Sequence, residues 1–282
     1  MRPEPLRREA ACFDERMLEE RIGPGRTVVV TGASAGIGAA TALAVAAEGA
    51  DVVLVARRAD RLAEVVAQCA AAGVRAEALV ADLADLEAIA QLAERIVDLV
   101  GVPDVLVNNA GVPMRKRIAT IEPSALEGVM ALNYFSPARL TTALLPGMLE
   151  RGSGDIVNVS SMGVHLVAFG VGAYAASKAA LELFTEALSV ELAGSGVRAH
   201  ILVPGSTISE FRDDKPGNDA PMPADLSTFA SSEEVAAAVL RSVRTDGLYT
   251  FATERDAATA QTKNADPNAF VAAMTERLAA FR

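Results

Sequence analysis

Basic residues are in short supply: 26 lysines and arginines stand against 36 aspartates and glutamates, for a formal net charge of −10. No basic stripe or aromatic-interleaved basic patch appears, so no nucleic-acid partner is expected, and the acid excess is read as an aid to solubility. Histidine occurs only at His165 and His200, and cysteine only at Cys12 and Cys69. Two cysteines make neither a disulfide framework nor a metal spacing, and His200 sits in a strand-like run where a structural role fits best. No metal site is expected. No run of about 18 apolar residues exists, which excludes a membrane-spanning helix. Residues Met1–Glu20 mix both signs of charge without an apolar core, so no secretory signal is expected and a cytoplasmic protein is the default. Aromatics make up only 4% of a chain that is 51% hydrophobic, much of it alanine, which points to helix-rich α/β packing around one large core.

What the chain does have is the stretch Thr27–Gly38, T-V-V-V-T-G-A-S-A-G-I-G. A β-branched run breaks at Gly32 and resumes from Ile37 as an apolar helix ended by Gly49. Strand, glycine loop and helix together present bare N–H groups and a helix N-terminus to a phosphate. Gly32 allows the turn, Gly36 lets backbone approach a pyrophosphate, and Gly38 lets helix and strand pack closely. The spacing is G-x-x-x-G-x-G rather than G-x-G-x-x-G. A glycine-rich turn without a ligand is the competing reading.

The rest of the chain repeats the alternation. Residues 1–26 read as a polar extension, with a short helix around Arg8–Arg21. Strands are expected at Val52–Ala56, Ala76–Val80, Val105–Val107, Ile156–Val159 and Val197–Val203, and a last one at Leu248–Phe251. Helices are expected at Arg58–Ala72, from Asp85 as cap, over Pro123–Arg151 with a kink near Asn133 caused by Pro137, and at Tyr174–Ala193. Ser206–Ala230 reads as a loop or lid, Ser231–Arg244 as a helix capped by Ser232, and Pro267–Phe281 as a terminal helix. The expected architecture is α/β, a doubly wound parallel sheet of about seven strands with helices on both faces. Its single dinucleotide-binding and catalytic domain spans 27–252, and a tail follows over 253–282. Gly32, Arg57, Asp82, Asn109, Ser161 and Pro204 each follow a strand, at the edge where such sheets bind ligands.

Tyr174 and Lys178, spaced i and i+4, project from one face of a helix, and Ser161 ends a strand at the same edge. An ammonium beside a phenol favours the phenolate and brings it toward useful acid strength at neutral pH, while a hydroxyl can hold a carbonyl oxygen. Tyr-x-x-x-Lys by itself also arises on ordinary solvated helices; its weight comes from the motifs that precede it in order.

Those motifs are Thr31-Gly32-Ala33-Ser34-Ala35-Gly36-Ile37-Gly38, Asp82, Asn108-Asn109-Ala110-Gly111, Asn133, Ser161, Tyr174-Ala175-Ala176-Ser177-Lys178 and Pro204-Gly205. Over roughly Thr27 to Leu248 the chain resembles the short-chain dehydrogenases/reductases of the compact, single-domain branch. The resemblance implies that Tyr174 is the general acid/base, that Ser161 polarises the substrate oxygen, and that Lys178 binds the nicotinamide ribose and lowers the Tyr174 pKa. It implies that Asn133 holds a relay water. Gly32, Ser34, Ala35, Gly36, Ile37, Gly38, Asp82, Leu83, Asn109, Ala110, Gly111, Pro204, Gly205 and Ser209 would line the cofactor. Ser161 rather than Ser160 is chosen because it stands thirteen residues before the tyrosine. Asn108 is read as pinning neighbouring strands.

Three departures from the pattern matter. Ser209 replaces a frequent threonine, Ala35 stands where many NADP-dependent members carry a basic residue, and the Asp-Gly-Gly ending of many tetrameric members is missing. The second strand ends in Ala56-Arg57-Arg58 with no acid to accept from a ribose 2′-OH, so NADP, held by Arg57 and Arg58, is expected over NAD. The substrate is expected to be a medium-sized apolar ketone or secondary alcohol, facing Met162, Val164, Leu166, Phe169, Val171, Phe211 and Met222; His165 is the one candidate polar contact, a surface loop histidine being the preferred reading. A homodimer through Pro123–Arg151 and Tyr174–Ala193, or a homotetramer, is expected. A non-catalytic dinucleotide-binding sensor or scaffold, and a nucleotide-sugar epimerase or dehydratase, remain as alternatives.

Overall fold

The computed structural model describes residues 21–166, 168–212, 218 and 229–279. Its centre is a seven-stranded, wholly parallel sheet in the order β3-β2-β1-β4-β5-β6-β7. The strands are β1 Thr27–Thr31, β2 Asp51–Ala56, β3 Ala76–Val80, β4 Val105–Asn108, β5 Gly154–Val159, β6 Val197–Val203 and β7 Tyr249–Phe251. Val, Ile and Leu dominate the central strands because both faces are covered, so no polar alternation survives. β1 and β4 pair although β2 and β3 lie between them in sequence, and the order reverses there. A crevice at such a reversal, outside the carboxyl ends of the strands, is where doubly wound sheets take their ligands.

The helices are α1 Gly36–Ala47, α2 Ala59–Ala70, α3 Ile89–Val100, α4 Pro123–Met130, α5 Ser136–Arg151, α6 Met162–His165, α7 Gly172–Glu191, α8 Ser232–Val243, α9 Glu254–Ala265 and α10 Pro267–Ala279. One core joins the sheet to α1, α2 and α8 through Val45, Leu62 and Val239. The other joins it to α3, α5 and α7 through Ile96, Leu144 and Leu188. Each such aliphatic side chain, fully buried, contributes roughly 1.5–3 kcal/mol. Cys69 is buried in the first core, where loss of water pushes its thiol up to about 11. His200 is structural, its Nε2 2.8 Å from Asp155 Oδ1. No helix among the described residues is long and apolar enough to cross a membrane.

Several expected boundaries move for local reasons. The Asp85 carboxylate accepts from the N–H groups of Glu87 and Ala88 in a tight turn, so α3 begins only at Ile89. The cap of α8 is Ser231, not Ser232: Ser231 Oγ accepts from Glu234 N–H, and the Glu234 carboxylate accepts from Ser231 N–H at 2.7 Å. The kink between α4 and α5 is a π-helical segment, Ala131–Phe135, lying just before Ser136-Pro137. The tail carries a further helix, α9, ahead of the expected terminal one. The helix expected around Arg8–Arg21 lies outside the described residues except for Arg21, which is bonded at 2.9 Å to Asp155.

Candidate active site

The loop after β1 is shaped by what it excludes. Gly32 has φ +67, and a Cβ there would fall 2.8 Å from Asn109 Nδ2 and 2.9 Å from Ala110 Cα. A Cβ on Gly38 would fall 2.6 Å from that same Nδ2. These glycines therefore let β4 and α1 close against β1, leaving a bare-backbone cradle at the α1 N-terminus, where Ala35 is extended and Ile37 packs on the core. A hydroxyl that the sequence reading passed over holds the cradle together. Buried Thr31 Oγ1 accepts from the N–H groups of Asn109 (2.9 Å) and Ala110 (3.0 Å), while Asn109 Nδ2 donates to Thr31 O. Asn108 pins strands as expected, donating to Asn158 Oδ1 at 2.8 Å. A donor-rich cradle of this shape fits a dinucleotide pyrophosphate.

Beyond the cradle, Asp82 is exposed with its carboxylate accepting from Ala84 N–H, and Leu83 beside it is buried. Of the two arginines after β2, Arg58 is the one on Ser34: Nη2 and Nε lie 3.1 and 3.3 Å from Ser34 Oγ. Arg57 is exposed. The sequence reading found no acid able to stand here, yet the loop after β6 delivers one. Glu210 accepts from Arg58 at 2.8 Å and from Arg61 at 3.2 Å. From the same loop, Ser209 Cβ would lie 3.0 Å from a Cβ on Gly36.

Ser161 follows β5 and caps the short α6, its Oγ accepting from Gly163 N–H at 3.0 Å. Tyr174, in the first turn of α7, is half-buried. Burial raises its phenol pKa and the neighbouring Ser161 hydroxyl opposes the rise; a Cβ on Gly163 would fall 3.3 Å from Ser161 Oγ and 3.4 Å from Tyr174 Cε1. Lys178 is buried one turn on, and Nζ donates to the Val159 carbonyl at 2.8 Å. Burial lowers its pKa to about 8, with the nearby Glu182 carboxylate holding it up. A Cβ on Gly111 would fall 3.2 Å from Asn133 Oδ1 and 3.4 Å from Lys178 Nζ, so the loop after β4 closes against both. Asn133 is fully buried with its side chain engaged: Oδ1 accepts from Val112 N–H, and Nδ2 donates to Val112 O and Ser177 Oγ.

His165 corrects the sequence reading. It is buried on α6, not on a surface loop, and its Nε2 lies 3.1 Å from Glu182 Oε1. Met162 is likewise core, packed with Ile201 and Val203, and Leu166 packs on that cluster. Phe211 stays near the site, its ring 5.9 Å from that of Tyr174, and exposed Phe169 lies under the Arg117 guanidinium. Met222 lies outside the described residues. Pro204 accepts from Met162 N–H at 2.8 Å, and a Cβ on Gly205 would fall 2.9 Å from Asp256 Cγ on α9. The β5 end, α6 and the loop after β6 therefore meet at one edge.

Residues 26–219 match the family model described as short chain dehydrogenase. The chain is 38% identical over 221 residues to a ketoacyl reductase HetN from Nostoc sp., covering 78% of this chain and 76% of that one. It is 42% identical over 180 residues to a fatty acyl-CoA reductase from Acinetobacter baylyi, covering 63% of this chain and only 61% of that relative's length. Among solved structures, a short-chain dehydrogenase from Sphingobium yanoikuyae in complex with NADPH superposes with a TM-score of 0.76 at 30% identity, covering 88% of this chain and 95% of that one.

Proposed function

The chain belongs to the short-chain dehydrogenase/reductase family, oxidoreductases that work with a nicotinamide cofactor, and we propose that it reduces an apolar ketone or oxidises the matching secondary alcohol with NADP. The observation that carries this reading is the convergence of Ser161 and Tyr174, both within 3.4 Å of where a Cβ on Gly163 would fall, with Lys178 one turn along on the same face, at the sheet edge that also carries the glycine cradle. The cradle and Ser34 would hold the dinucleotide, which when bound supplies or accepts the hydride.

In reduction, Tyr174 gives its phenolic proton to the substrate oxygen while the Ser161 hydroxyl donates to the same oxygen and fixes its position. Burial works against the phenolate, so Ser161 and the Lys178 ammonium must offset that cost. Reprotonation of Tyr174 runs through Lys178. The Asn133 side chain is already engaged by Val112 and Ser177, so a relay water at this residue uses its backbone carbonyl. Pro137, four residues on, has no N–H to offer that carbonyl.

The cofactor assignment is supported by Arg58 on Ser34, with Arg61 sharing the Glu210 carboxylate, since paired guanidiniums suit a 2′-phosphate. The substrate class is supported by Phe211 beside Tyr174 and by the ketoacyl and fatty acyl names of the relatives. Assembly as a homodimer is part of this reading, supported by exposed Leu126, Phe135, Leu183 and Val190 on α4, the π-helical segment and α7. A turnover screen of ketones and secondary alcohols, each run with NADPH/NADP and NADH/NAD, tests the assignment. A preference for anionic ketones over matched apolar ones refutes the substrate class, and no turnover of any carbonyl refutes the reaction.

A further inference from the structure

Behind the reactive edge lies a second buried polar cluster that the reaction as described leaves idle. At its centre is Glu182, 5% exposed, one turn along α7 from Lys178. Ser160 Oγ donates to Oε1 at 2.5 Å, His165 Nε2 lies 3.1 Å from the same oxygen, and Tyr249 Oη lies 3.4 Å from Oε2. The Tyr249 hydroxyl gives its proton to Glu186 Oε1 at 2.6 Å. A carboxylate this deep is tolerated only when donors reach it, and here Ser160, just past β5, and His165 on α6 supply them.

The position of Ser160 gives the cluster its meaning. It stands between Val159, whose carbonyl receives Lys178 Nζ, and Ser161, whose Oγ and the Tyr174 ring both lie within 3.4 Å of where a Cβ on Gly163 would fall. One side-chain bond from Glu182 therefore anchors the tripeptide that carries both contacts. His165 ties the far end of α6, which Ser161 caps, to the same oxygen.

We propose that Glu182 is a positioning residue of the reaction, a buried carboxylate that fixes the end of β5 so that Ser161 and the Val159 carbonyl face Tyr174 and Lys178, and that provides the counter-charge to the Lys178 ammonium. This rests on the reading of Ser161, Tyr174 and Lys178 as the reactive set. The titratable or charged groups around Glu182 are Lys178 and Glu186 on its own helix, His165 on α6, Tyr249 on β7, and Lys263 on α9, which reaches the Val164 carbonyl. Among them only Lys178 sits against the substrate side of the cluster, which makes its protonation the quantity to read.

The test compares wild type with Glu182→Gln and Ser160→Ala, using the best apolar ketone from the screen, NADPH binding by fluorescence, and kcat against pH. Gln keeps an oxygen for the Ser160 hydroxyl and removes the charge. The expected result is a kcat lowered by about tenfold, a ketone KM within about twofold, and an alkaline limb displaced about one pH unit downward, because the ammonium is less favoured without its counter-charge. Ser160→Ala should lower kcat by several-fold and leave the limb in place. Glu182→Gln with unchanged kcat and limb overturns the proposal, as does a Ser160→Ala variant with wild-type kcat. If Glu182→Gln fails to fold, Ser160→Ala decides alone. Absence of turnover in the wild type itself instead overturns the reactive set on which the proposal rests.

Discussion

Asn133 and Val112 close a small ring: Asn133 Oδ1 accepts from Val112 N–H at 2.8 Å, and Asn133 Nδ2 donates to Val112 O at 3.1 Å. A side chain mimics a strand neighbour for the loop that leaves β4, and it does so from a residue with no exposed surface. Asn133→Ala strands both backbone groups and should cost about 1–3 kcal/mol of stability as well as turnover. Thermal melting beside kcat checks both. A variant that loses turnover at an unchanged Tm shows that the ring carries no stability.

Tyr174→Phe should lower kcat by about 100-fold or more and leave the NADPH Kd nearly unchanged, since the ring packs while only the hydroxyl reacts. Lys178→Ala should damage both quantities, because the proposed reading gives its amine both the nicotinamide ribose and the phenol to serve. Turnover near the wild-type level in the phenylalanine variant at neutral pH overturns the proton-transfer role.

Cofactor choice should respond to both ends of the Arg58–Glu210 pair. Both side chains are close to half exposed, so the ion pair itself adds little stability. Its interest is competition, because Glu210 occupies the guanidiniums that the proposed NADP reading assigns to a 2′-phosphate. Arg58→Ala should lower kcat/KM for NADPH relative to NADH by about tenfold or more, the worth of one charge-assisted contact. Arg57→Ala, the variant that sequence alone singles out, should also lower it, by less. Glu210→Gln should raise the ratio. A wild type that prefers NADH, or a ratio unmoved by Arg58→Ala, refutes the NADP assignment.

Acid sensitivity should centre on Asp155. Burial alone would raise this carboxyl, but the His200 hydrogen bond and charge, with Arg198 and Arg21, hold it below its ordinary 3.8. A carboxyl depressed on folding contributes stability that is complete above the unfolded value and disappears as pH falls through the folded one. The wild type should therefore keep this contribution above about pH 4 and lose it below. Asp155→Asn should cost about 1–3 kcal/mol at neutral pH by weakening the pairing of half-buried Arg21 and Arg198, the latter keeping Asp246, and should flatten the acid arm of the stability profile. Urea unfolding from pH 2 to 7 measures both; parallel acid arms in the two proteins count against the assignment.

The sheet was legible because its strands are short β-branched runs ending at residues of a recognisable motif, as Thr27–Thr31 ends at Gly32. Legibility failed where a structure depends on a distant partner. α9 carries almost no apolar stripe, with only Ala260 buried, so nothing in E-R-D-A-A-T-A-Q-T-K-N-A announces that it packs on α6. His165 read as a loop residue because its partner Glu182 lies seventeen positions away on another helix. Glu210 was invisible as a neighbour of Arg58 because 152 residues separate them. At Ser231 and Ser232 the ambiguity was one of two adjacent caps, and the reciprocal bond with Glu234 decides it.

α9 also sets an order of events. Lys263 holds the Val164 carbonyl of α6, and Asp256 packs against Gly205 in the loop after β6, so one late helix touches both segments that flank the reactive edge. The glycine cradle, by contrast, is built by β1, α1, β2 and β4, with Ser209 of the loop after β6 reaching it from later in the chain. Synthesis delivers the chain from its N-terminus at about 5–20 residues per second, and a domain generally folds as a unit. The four segments of the cradle therefore leave the ribosome more than a hundred residues before the last buttress of the reactive edge. The reactive edge is thus closed by a segment made long after the residues it buttresses, and a chain ending before residue 254 lacks both of these contacts.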